Sequence, residues 1–198
     1  EHGALVSSLG GISVALKSVP RRQHLAWLRR YMDTAFPLDD PSVRIIPANA
    51  GGVPAEWVLA PNADPERRLL YIHGGAWTMG SPTSHRRLTA KFSEVANASV
   101  LAIDYRLMPE HPRRAGIEDS RTAWRWMLDH GPDGASPASA LFVAGDSAGG
   151  NLTLSLIAWV RDQGLRAPNA AVALSPATDA TLSSPSLKGN LATDPMLG

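Results

Sequence analysis

At 198 residues with a formal net charge of +1, the chain is long enough for one domain with a substantial core and short for two. The balance of charge gives no ground for a nucleic-acid partner. A hydrophobic content of 44% against 19% charged residues excludes a disordered chain. Having no cysteine excludes a disulfide framework, a thiol nucleophile and any cysteine-based metal centre, and suits a reducing, cytoplasmic compartment.

No apolar run approaches the roughly 20 residues that span a bilayer, so no membrane span is expected. The segment 4–19 is apolar but rich in Gly and Ser, with no basic residue before it, and is not read as a signal peptide. The chain begins at Glu1 rather than Met, and its natural start is taken to lie upstream. Arginine pairs at Arg21-Arg22, Arg67-Arg68 and Arg86-Arg87 are scattered, and read as solvated surface rather than a binding patch.

In chain order, Leu25, Leu28, Met32 and Phe36 recur at three- or four-residue spacing and predict an amphipathic helix over about 21–36, ended by Pro37-Leu-Asp-Asp-Pro41. Short strands follow at 43–46 and 56–60, with Asn49-Ala-Gly-Gly52 as the turn between them. The pattern then changes. Four continuous apolar runs, 69–72, 100–103, 141–144 and 171–174, read as strands buried on both faces, the habit of parallel sheets. Between them, 83–97, 117–130 and 152–163 carry helical spacing. Strand–helix alternation of this kind predicts an α/β fold with right-handed crossovers. No internal repeat or low-complexity tract is present.

Two stretches carry chemistry. Gly145-Asp-Ser147-Ala-Gly149 is a G-x-S-x-G pattern that follows a buried strand and opens a helix. Glycines two residues either side let strand and helix pass closely while the serine takes a strained conformation and lifts its hydroxyl clear. His73-Gly74-Gly75-Ala76-Trp77 follows another buried strand directly. Small residues there leave backbone N–H groups free to face a developing oxyanion.

These stretches, with Asp104-Tyr-Arg-Leu-Met-Pro-Glu-His-Pro112, resemble the signature segments of the hormone-sensitive-lipase-like (bacterial family IV) carboxylesterases of the α/β-hydrolase fold. The resemblance covers about residues 40–198. It implies residues 1–40 as an N-terminal helical cap segment and 41–198 as the first two-thirds of the catalytic domain. It implies Ser147 as nucleophile and Gly75, Ala76 and Ala148 as amide donors to the oxyanion. His73, Gly74, Asp104 and Arg106 would orient and tie the loops, and Trp77 and Met79 would line the pocket or pack beneath it. It implies hydrolysis of short-to-medium acyl esters without metal or organic cofactor, and allows a homodimer.

Two departures stand out. Ala76 replaces a third glycine, and its amide can serve if φ is negative. Arg113-Arg114 stand where the family has an apolar residue and proline, altering a surface near the site.

The triad in this fold runs Ser, acid, His along the chain, yet all six histidines precede Ser147. Asp129-His130 resembles a base–orienter pair but is followed by Gly131-Pro132, and reads as a helix C-terminus. The downstream acids Asp162, Asp179 and Asp194 sit at a helix end or where the family's cap resumes. The triad acid and histidine are therefore expected on residues beyond Gly198. Two other readings stay open: a receptor-like ligand binder, since the fold family includes a plant hormone receptor that keeps the serine but not the histidine, and an amidase or lactonase using the same serine.

Overall fold

Every second side chain of a strand points to the same face, so a strand apolar at every position needs cover on both. The computed structural model, which describes residues 20, 23–179, 181 and 183–190, supplies that cover. In chain order the elements are helix α1 (His24–Ala35), strands β1 (Arg44–Ala50), β2 (Val53–Leu59) and β3 (Arg67–Ile72), then a 3-10 turn (Thr83–His85) running into α2 (Arg86–Ala96). They continue with β4 (Ser99–Ile103), α3 (Arg113–Asp129), the two-residue strands β5 (His130–Gly131) and β6 (Gly134–Ala135), β7 (Ala140–Asp146), α4 (Ser147–Asp162), β8 (Ala170–Leu174) and α5 (Pro185–Gly189).

The main sheet has the order β1-β2-β4-β3-β7-β8. The β1–β2 and β2–β4 pairs are antiparallel, and the β4–β3, β3–β7 and β7–β8 pairs are parallel. Leu70, Ile72, Leu101, Ile103, Leu141 and Val143 pack with Trp124, Met127, Leu152 and Leu156 of α3 and α4. Leu69, Tyr71, Val100 and Ala144 face the other way, onto Ala90 and Phe92 of α2. Each such side chain withdrawn from water contributes about 1.5–3 kcal/mol before chain entropy is charged against it.

The chain divides into two compact units, Arg29–Ala177 and a second that joins Glu1–Leu28 with Thr178–Gly198. The sheet and its covering helices α2–α4 belong to the first. In the second, Asp179 accepts hydrogen bonds from Thr181 and Ser183, and its carboxyl is thereby held at about 2. Asp194, Arg21, Arg22 and the segment 4–19 lie outside the described residues.

Several expectations need correction. No residue of α1 is buried, and Phe36 is 53% exposed. The β1–β2 turn is only Gly51-Gly52, both at positive φ, because the strands run further in than their apolar cores suggest. Helix α3 begins four residues earlier than its apolar spacing, at Arg113. The run 171–174 is not buried on both faces: β8 is the sheet edge among the described residues, with Val172 and Leu174 exposed.

Arg67-Arg68 is not solvated surface either. Arg68 is fully buried, and its guanidinium donates to the carbonyls of Pro65, Met127 and Ser136 and to Ser136 Oγ. Arg67 donates to the carbonyls of Ala96 and Asn97, closing the C-terminus of α2. The two are expected to differ sharply. In urea denaturation Arg68→Leu should lose about 3 kcal/mol or more, since it strands buried carbonyls, whereas Arg67→Leu should lose about 1 kcal/mol; equal losses would contradict this account.

Candidate active site

The elbow is built from a close approach. Strand β7 ends at Asp146 and α4 begins at Ser147, which sits at φ +50°. A Cβ on Gly149 would lie 1.9 Å from the Ile72 carbonyl oxygen and 2.5 Å from that of His73. One on Gly145 would lie 2.6 Å from both the Ile72 and Gly149 oxygens. Glycine is therefore the sole residue that lets the first turn of α4 rest on the end of β3. Ala148, Gly149 and Gly150 are buried while Ser147 between them and Asp146 is exposed, so the bend presents one hydroxyl to solvent. Its carbonyl accepts from the Ala177 amide at 3.0 Å, joining the elbow to the loop after β8.

The loop after β3 takes a left-handed turn. Gly75, Ala76 and Trp77 have φ of +116°, +53° and +58°, and the Gly75 carbonyl accepts from the amides of Thr78 at 3.0 Å and Met79 at 2.9 Å. Ala76 thus does not have the negative φ set as the condition for its amide to serve; the left-handed turn instead leaves that amide without an acceptor among the described residues. A Cβ on Gly75 would lie 2.2 Å from the Met79 oxygen, whereas Ala76 is exposed. Among the described residues no oxygen accepts from the amides of Gly75, Ala76 or Ala148.

Four contacts fix this loop. The Gly74 amide donates to Asp146 Oδ1 at 2.9 Å, and Tyr105 OH donates to the His73 carbonyl at 3.0 Å. The Met108 amide donates to the Trp77 carbonyl at 2.8 Å. Arg29 of α1 donates to the carbonyls of Thr78 at 2.7 Å and Met108 at 2.9 Å, and pairs with Glu110 through both terminal nitrogens.

Beneath the serine lies a polar cluster. Asp146 Oδ1 accepts from Tyr71 OH at 2.7 Å, and His85 Nε2 stands 3.4 Å away. Burial pushes the Asp146 carboxyl up, but hydrogen bonds and charge from His85, then Tyr71 and Gly74, outweigh it and hold the group below the ordinary range. Burial, with the neighbouring carboxylate, raises the Tyr71 phenol. His73 is fully buried, stacked on Tyr105 with centroids 4.4 Å apart, and its Nδ1 lies 2.8 Å from the Gly74 carbonyl. That carbonyl can only accept, so Nδ1 carries the proton. Burial drives the imidazole down to about 4, against a smaller opposing effect of the Gly74 carbonyl, and keeps it neutral. His73 therefore orients the loop, and its Nε2 has no partner among the described residues.

The remaining residues divide. Arg106 grips Asp119 of α3 through Nε and a terminal nitrogen, tying the loop after β4 to that helix. Asp104 does not serve as a tie through its side chain: burial, with the charges of Asp33 and Glu56, raises its carboxyl, which accepts no hydrogen bond among the described residues, while its amide donates to the Pro54 carbonyl. Trp77 and Met79 are both half-buried, Trp77 against the core and beneath the Arg113 guanidinium at 4.3 Å. His130 closes α3, stacked on Trp126 with Nδ1 at 2.9 Å from the Trp126 carbonyl. Sequence reasoning missed Arg29, Tyr71, His85, Asp146 and Asn151. Only Asp146, inside the pentapeptide, carried a signal.

Comparison with known proteins bears on the family and the fold. A family profile described as alpha/beta hydrolase fold matches residues 69–198, and the chain belongs to that family. It is 43% identical over 129 residues to an acetyl-hydrolase of Streptomyces hygroscopicus, covering 65% of this chain and 42% of that protein. It is 39% identical over 122 residues to the carboxylesterase NlhH of Mycobacterium tuberculosis, covering 62% and 38%. A solved esterase of the bacterial hormone-sensitive lipase family superposes with a TM-score of 0.82 at 35% identity, covering 96% of this chain and 63% of its own. The chain thus spans less than half the length of these two curated relatives.

Two outcomes follow from the geometry. Gly149→Ala should lose at least about 3 kcal/mol in thermal or chemical denaturation, while Gly189→Ala, with open space around it, should be near neutral. The His73 imidazole binds its proton at about 4 when folded against about 6.5 unfolded, so the unfolded chain takes up the extra proton between those values. Stability should accordingly fall as pH drops from 6.5 toward 4, by up to about 3 kcal/mol. His73→Asn should flatten that slope; an unchanged slope would show that the imidazole is not buried neutral.

Proposed function

We propose that the chain is part of a serine carboxylesterase in which Ser147 is the nucleophile. The observation that carries the reading is the exposed Ser147 at φ +50°, beside a left-handed turn whose Gly75 and Ala76 amides have no acceptor among the described residues. The names of the relatives above, an acetyl-hydrolase and a carboxylesterase, support it. Residues 1–40 are read as the N-terminal part of a cap and 41–198 as the first two-thirds of the catalytic domain.

In this mechanism Ser147 Oγ attacks the ester carbonyl carbon and its proton passes to a histidine. The carbonyl oxygen, now negative, accepts from the amides of Gly75, Ala76 and Ala148, each worth about 3–4 kcal/mol in the transition state. The α4 N-terminus adds its positive dipole end. The alcohol leaves with the proton from that histidine, and water then releases the acyl group. His73, His85 and His130 are each engaged elsewhere, so the reading assigns the base and its acid to residues outside this sequence. The substrates proposed are short-to-medium acyl esters, with no cofactor. A cytoplasmic location and a homodimer belong to the same proposal. Among the described residues no helix is long and apolar enough to cross a membrane.

The full-length protein should be labelled covalently by a fluorophosphonate and should cleave p-nitrophenyl butyrate. Ser147→Ala should abolish labelling and lower kcat by a factor of about 10⁴ or more. A protein that neither labels nor turns over the ester would end the esterase reading.

A further inference from the structure

The rim of the site holds a cation with no counterion among the described residues. Arg113, the first residue of α3, is half-buried and lays its guanidinium 4.3 Å from the centroid of Trp77, the residue after Ala76 in the left-handed turn. Its Nη2 donates to Asn151 Oδ1 at 2.7 Å, and Asn151 Nδ2 donates to the Ala177 carbonyl. Asn151 follows Ser147 by one helical turn on the same face of α4, which places their Cβ atoms about 6 Å apart. Trp77, Arg113, Asn151 and Ala177 follow β3, β4, β7 and β8 at their carboxyl ends, where ligands of open α/β sheets bind.

The neighbouring charges are already spoken for. Arg114 pairs with Glu118 at 3.1 Å and Arg106 with Asp119 at 2.7 Å, leaving Arg113 without a carboxylate among the described residues. Its Nε is buried and has no hydrogen-bond partner there. A tether between Trp77 and Asn151 requires no charge, since an apolar side chain packs on an indole and an uncharged amide bonds another. A guanidinium does what neither can, which is to present a planar set of donors to an anionic group.

We propose that Arg113 forms an anion subsite beside Ser147, selecting esters whose acyl chain ends in a carboxylate, such as half-esters of short dicarboxylic acids. This rests on the esterase reading. Asn151, which Arg113 bonds, lies one helical turn from Ser147, a spacing of about 6 Å that is of the order spanned by the three methylenes of a glutaryl chain between its reacting carbonyl and its distal carboxylate.

The test uses the full-length protein and two esters of one shape, monomethyl glutarate and methyl 5-methylhexanoate, followed by pH-stat titration at pH 7. Arg113→Gln should lower the ratio of kcat/KM for the charged over the neutral ester tenfold or more, and Arg113→Lys should restore part of it. A ratio that does not move, even if both rates fall together, would leave Arg113 a structural tether and overturn the proposal. If the wild type cleaves neither ester, fluorophosphonate labelling and p-nitrophenyl butyrate cleavage decide the esterase reading separately, and the subsite is decided by calorimetry with glutarate: binding lost in Arg113→Gln supports it, and no binding to the wild type, or binding unchanged in Arg113→Gln, overturns it.

Discussion

The whole site depends on one backbone approach, the first turn of α4 resting on the carbonyl ends of β3. Gly149 meets the oxygens of Ile72 and His73 at distances no other residue permits. Because the residue before α4 and the residue after β3 are thereby neighbours, one contact positions both the serine and the loop of free amides. Asp146 repeats the link from its side chain, through Gly74. The arrangement is held by buried, hydrogen-bonded groups and not by exposed ion pairs, which contribute little in water.

Charge is distributed by depth. Under the elbow, Asp146 remains an anion because three donors converge on it, and His73 stays neutral because its burial outweighs the smaller opposing effect of the Gly74 carbonyl. At the surface, cations face the loops: Arg29 holds the carbonyls of Thr78 and Met108, and Arg106 holds Asp119. Positively charged supports suit a loop in which the amides of Gly75 and Ala76 have no acceptor among the described residues. At the opposite pole of the sheet, Arg68 gathers the chain ends around Pro65, Met127 and Ser136. Anchorage and chemistry thus occupy opposite ends of the same strands.

The order of strands and helices was legible because continuous apolar runs and three-to-four spacing report burial directly. The elbow was legible because Gly145 and Gly149 bracket Ser147 at the spacing the close approach requires. What stayed hidden depended on neighbours distant in the chain. Arg68 is separated from the α3 carbonyls it satisfies by some 60 residues, so its pairing with Arg67 resembled a surface pair. Val172 and Leu174 read as buried because composition does not say which strand is at the edge. Arg29, His85 and Asn151 are single polar residues on helices or beside them, and their partners are set by topology alone. The sign of φ at Ala76 was misjudged because the turn hand follows from Gly75 O accepting from Thr78 and Met79, a closure that local residue preference does not encode.

That left-handed alanine also explains why this chain tolerates a departure from three successive glycines. Holding an L-residue there costs about 1–2 kcal/mol in the folded protein. Against that, a methyl narrows the unfolded ensemble and returns about 0.4–1 kcal/mol. Ala76 is exposed. Position 76 thus favours glycine by only about 0–1.6 kcal/mol, a cost the fold can carry, while position 75, walled in by the Met79 oxygen, admits a hydrogen and nothing larger.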